Sequence, residues 1–87
     1  MNKFVATIDK REYIIEKKDD KYIYNGNILD DILVDKFISN IIKLCLGNER
    51  RKKISSSNKI EIYFDDRMSL YKGIDIQVIR YLEEFLK

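Results

Sequence analysis

The stretch Asp30–Leu46, DDILVDKFISNIIKLCL, decides how this chain folds. At the helical period, Leu33, Val34, Phe37, Ile38, Ile41, Ile42, Leu44 and Cys45 gather on one side. Asp35, Lys36, Ser39, Asn40 and Lys43 fall on the other, so the segment reads as an amphipathic helix. Its apolar arc covers roughly half the circumference, wider than the ~100° stripe that a single neighbour needs. A sheet and a second helix are therefore expected against it. Asp30 suits the N-cap because its carboxylate can accept from the amides of the first turn, and Leu29 can staple onto Val34. Gly47 is the expected terminator, supplying the left-handed cap conformation.

The residues before this helix alternate as strands do. In 3–8, Phe4, Ala6 and Ile8 point one way and Val5 and Thr7 the other, and the polar group 9–12 turns the chain into 13–17. A second turn at 18–21 leads to Tyr22-Ile23-Tyr24, which stops at Asn25-Gly26, the strongest short turn signal in the chain. The expectation is an antiparallel meander of three strands. Beyond the helix, Ile60, Ile62 and Phe64 alternate with Glu61, Tyr63 and Asp65, giving a further strand with one buried face. Met68 to Tyr71 fits either a short strand or irregular chain. Asp75 then caps a last helix whose Val78, Ile79, Leu82, Phe85 and Leu86 share one face. The order β-β-β-α-β-(β)-α suits a small two-layer α+β domain spanning residues 1–87, with an antiparallel or mixed sheet and two helices packed on one face.

Composition bounds the function. With 87 residues, 45% hydrophobic and 37% charged, the chain has the apolar content of one folded domain. Fifteen Ile against one Ala, and twelve Lys against five Arg, favour AT-rich codons, as in a low-GC bacterium or a phage or plasmid living in one. The single cysteine, Cys45, cannot form an intramolecular disulfide, and no stretch has the apolar length of a membrane span or signal-peptide core, so a cytoplasmic protein without membrane contact is expected. Chemistry has little to work with: there is no His, and Ser55-Ser56-Ser57 has no activating partner in view. The three glycines form no phosphate loop. Neither a cofactor nor a metal is expected, and the adjacent acids Asp19-Asp20, Asp30-Asp31 and Asp65-Asp66 read as turns and caps.

Two features carry the candidate binding residues. The segment 49–59 has a net charge of +4 within a chain of net charge +2. Four of its cations, Arg50, Arg51, Lys52 and Lys53, are consecutive in a Ser-rich loop expected over 48–59, with Lys59 at its end. Such a run attracts phosphate backbones or an acidic protein surface, and otherwise serves as a solvated segment. Tyr22, Tyr24 and Tyr63 lie on strands, and aromatics on an open sheet face beside cations stack bases in several single-strand binders. Tyr63 points away from Ile60 and Ile62, and Tyr22 shares a face with Tyr24. Whether all three share one face depends on register. The sequence thus points to a non-enzymatic module that binds another protein or a second copy of itself, as small inhibitors or adaptors of phages and plasmids do. A nucleic-acid-binding module using the basic loop and the tyrosines is the second reading.

Overall fold

The computed structural model describes residues 2–50 and 57–87, positions 48–50 by backbone alone. In chain order the elements are β1 (Lys3–Ile8), β2 (Arg11–Lys18), β3 (Lys21–Tyr24), β4 (Asn27–Leu29), α1 (Asp31–Arg50), β5 (Lys59–Phe64), β6 (Arg67–Lys72) and α2 (Ile76–Phe85). The strands form one antiparallel sheet in the order β4-β3-β2-β1-β5-β6. This is the expected α+β domain, with one strand more in the opening meander. β4 carries only Asn27-Ile28-Leu29, too short for any alternation to announce it, and pairs back onto β3 through the Asn25-Gly26 turn.

Tight turns set the register of the meander. Asp9 and Lys10, Asp19 and Asp20, and Asn25 and Gly26 all adopt positive φ, the condition for two-residue hairpin turns whose twist matches the strands they join. The first turn is thus Asp9-Lys10 alone, and Arg11 and Glu12 belong to β2. Strand β1 lies at the centre. Phe4 faces Ile15 on β2 and Ile62 on β5, and Ala6 faces Tyr13 and Ile60, so one sheet face carries the apolar set. Both helices pack there. Val34, Phe37, Ile41 and Cys45 of α1 and Val78 and Leu82 of α2 join Phe4, Ala6, Ile8, Ile15, Ile60 and Ile62 in one buried cluster.

Local signals hold the helices in place. Asp30 Oδ1 accepts from the Leu33 amide at 3.1 Å, and Asp75 Oδ1 accepts from the Val78 amide at 3.1 Å. Both caps fall where the sequence puts them. Gly47 departs from expectation: α1 continues through it to Arg50. A helical glycine costs only about 1 kcal/mol relative to alanine, too little to stop a helix anchored by buried Ile41 and Cys45. Of the loop expected over 48–59, positions 48–50 continue α1 and Lys59 is already the first residue of β5, while residues 51–56 lie outside the described residues. Met68 to Tyr71 lies within β6.

Two substitutions test this arrangement. Ile41 is fully buried, so Ile41→Asp introduces a carboxylate with no partner, at a cost of several kcal/mol against a total stability of roughly 5–15 kcal/mol. Cooperative thermal unfolding should disappear, and an unchanged melting curve would move α1 out of the core. A Cβ at Gly47 meets no atom within 4 Å. Gly47→Ala should therefore stabilise the fold by about 0.5–1 kcal/mol and raise Tm by a few degrees; a lowered Tm would mean that the helix ends there.

Candidate binding groove beside the central helix

α1 buries its central stripe against the sheet and meets α2 on one flank. Asn40 Nδ2 donates to Tyr81 Oη at 2.8 Å, and the Phe37 ring stacks on Tyr81 and Phe85, with centroids 5.7 and 4.2 Å away. The other flank of α1, Asp35, Ile38, Ser39 and Ile42, overlooks a groove of about 410 Å³. Its far wall is the β5–β6 hairpin, which contributes Ile62, Phe64, Arg67 and Ser69, and Asn2, Lys3, Tyr22 and Tyr63 also line it. Phe64 alternates with buried Ile60 and Ile62 as expected, yet it is 56% exposed because it stands at the strand end beyond the helix cover.

Polar contacts give the groove a fixed frame. The Asp65 amide donates to Asn2 Oδ1 at 3.0 Å, tying the β5–β6 turn to the start of β1. Tyr22, 4% exposed, donates its hydroxyl to Asp35 Oδ1 at 3.2 Å, and Lys17 Nζ lies 5.3 Å from its ring centroid. Burial, together with the charge of Asp35, pushes the Tyr22 hydroxyl up to about 12. On the other face of the sheet, Tyr63 donates to Glu61 Oε2 at 2.7 Å, and this bond raises its hydroxyl too. Lys59 sits 3.7 Å from Glu61, and Lys3 Nζ lies 5.8 Å from the Tyr63 ring centroid.

The candidate residues separate into three groups. Tyr22 lies opposite Lys17, and Lys17 continues the Tyr13–Ile15 row, so Tyr22 and Tyr24 occupy the helix face. Tyr63 and Lys59 occupy the opposite face, because their β1 partners Lys3 and Thr7 alternate with Phe4 and Ala6. The three tyrosines therefore do not form one stacking platform. Sequence leaves their relation open because a one-residue slip in register exchanges the faces. Arg51, Lys52 and Lys53 lie outside the described residues, and Arg50 is described only as the backbone end of α1.

The adjacent acids have structural work in this fold. Asp19-Asp20 makes a turn, and Asp65-Asp66 joins β5 to β6. Asp30 caps α1, while Asp31 Oδ1 accepts from the Ile32 amide. The groove residues Ile38, Ile42, Phe64, Arg67 and Ser69 carry no motif. For Ile38 and Ile42 the only sequence signal is the width of the α1 apolar arc, for which a sheet and a second helix are expected, and Leu33, at its opposite margin, is also exposed. No protein-family model, curated protein or solved structure matches this chain, so the geometry alone carries the functional reading.

The Tyr22 contact has a measurable consequence. Folded protein keeps the Tyr22 proton to about pH 12, whereas the unfolded chain releases it near pH 10. Its folded-state value is raised, so the stability it contributes is complete below pH ~10 and is lost as the pH climbs through ~12. Tyr22→Phe should flatten the fall in stability across that window and remove a late component from the alkaline tyrosinate absorbance titration. An unaltered titration would separate Tyr22 from Asp35.

Proposed function

We propose that the chain is a non-enzymatic protein-binding module, an inhibitor or adaptor in character, whose contact region is the groove between α1 and the β5–β6 hairpin. The observation that carries this reading is an apolar channel with a half-exposed aromatic wall: Ile38, Ile42 and Ile62 line it beside Phe64. Large apolar side chains grouped on a small surface mark sites where another macromolecule excludes water. The occupant best suited is a protein segment that inserts an apolar side chain and sets a carboxylate near Arg67, since Asp35 already accepts the Tyr22 hydroxyl. A small-molecule site would bury most of its ligand, which a wall as open as Phe64 does not favour. The AT-rich usage supports a role in a low-GC bacterium or a mobile element within one, where small proteins of this kind block or recruit larger ones.

The test compares two variants as bait in lysate of the source cells, treated with nuclease and washed at high salt. Phe64→Glu changes an exposed side chain and leaves the core alone, so it should fold normally yet lose at least ~10-fold of the retained partner. Reversal of Arg50, Arg51, Lys52 and Lys53 to Glu should keep that partner. Retention by Phe64→Glu, with loss on charge reversal or nuclease treatment, would replace this reading with nucleic-acid binding through the basic segment.

A further inference from the structure

The two edges of the sheet differ. β4 is three residues long, whereas β6 runs for six, and among the described residues nothing pairs with its outer side. The Gly73 amide donates to the Asn58 carbonyl at 3.0 Å, which extends the β5–β6 ladder by one pair. Antiparallel pairs alternate between bonded and non-bonded, so Tyr71, Ser69 and Arg67 bond inward to β5. Met68, Leu70 and Lys72 therefore turn their backbone N–H and C=O groups outward. Their side chains share the face opposite the helices, where Met68 is 52% and Leu70 41% exposed. A long edge with free backbone groups and apolar side chains templates another strand unless charges oppose it.

We propose that this strand is a second copy of the same chain, with β6 pairing antiparallel to β6 about a two-fold axis through Ser69. Charge complementarity selects the occupant and the register. With Ser69 opposite itself, Met68 meets Leu70 of the second copy on the open face. On the helix face Arg67 meets the ring of Tyr71, and on the open face the turn residue Asp66 comes opposite Lys72. Each contact occurs twice by symmetry, and every cation of the strand has an aromatic or acidic counterpart. Pairing through Leu70 is also compatible with the outward backbone groups, but it leaves Arg67 opposite Gly73 and Lys72 opposite Met68. A shift of one residue, which would set Arg67 against Lys72, is excluded because it opposes inward-bonding residues to outward-bonding ones.

The dimer joins two six-stranded sheets into a single one of twelve and brings the Ser69 margins of the two grooves together. One strand pair buries less than the ~1,600 Å² of a standard interface, so association should be reversible and dependent on concentration. Arg67 and Ser69 belong to both surfaces, but the dimer is read out without any groove partner.

Crosslinking decides it. Cys45 is buried, so an introduced surface thiol dominates oxidation. Ser69→Cys should form an intermolecular disulfide at least ~10-fold faster than Leu70→Cys, whose sulfurs would start from diagonal positions roughly 7–8 Å apart along the backbone. In sedimentation the wild type should dimerise with rising concentration, and Leu70→Pro, which removes an outward amide without touching the ladder to β5, should weaken the dimer about 10-fold or more. Faster crosslinking of Leu70→Cys would overturn the register. A wild type that stays monomeric, with neither cysteine variant crosslinking, would overturn the dimer, and so would a dimer indifferent to Leu70→Pro. Should Leu70→Pro fail to fold, the ratio of the two crosslinking rates decides alone.

Discussion

The fold depends on the burial of Phe37. Its ring meets Phe4 of the central strand edge-on, with centroids 5.2 Å apart, and stacks against Tyr81 and Phe85 of α2. One side chain thus joins the sheet and both helices. Aromatic contacts of this kind add to a burial energy that already dominates a small core, and they fix orientation because offset and edge-on arrangements are preferred. Ile41 and Val34, one turn to either side, extend the same stripe and leave α1 little freedom to rotate.

That orientation accounts for the groove. An α-helix held by one stripe against a sheet has two flanks, and the one other helix among the described residues can cover only one of them. α2 takes the flank of Asn40, so Ile38 and Ile42 look out over the end of β5. The Asn2 side chain, bonded to the Asp65 amide, holds the far wall at a set distance. The apolar surface follows from the number of elements available, and the fold leaves it in the same place as the long unprotected edge of β6.

What the sequence made legible was whatever depends on period or on local chemistry. The α1 stripe, the Asp30 and Asp75 caps, the Asn25-Gly26 turn and the α+β order all arise within a few residues of chain. What it concealed was non-local or marginal. β4 is too short to show a period, and Gly47 costs the helix less than tertiary packing returns. The facing of Tyr22 and Tyr24 was fixed by the Asp19-Asp20 hairpin, whose positive-φ geometry composition hints at without specifying. The groove was half visible: the width of the α1 arc was legible, but Phe64 became a wall only because the helix cover ends short of it.

The isoleucines place methyl probes in the groove and on the opposite face of the sheet, so an NMR titration reads both sides at once. On titration with the protein partner retained by the wild type, the methyl signals of Ile38, Ile42 and Ile62 should shift together, while those of Ile14, Ile23 and Ile28 on the opposite face stay in place. Shifts confined to Ile14, Ile23 and Ile28, with Ile38, Ile42 and Ile62 unmoved, would contradict it and transfer the binding site to the other side of the sheet.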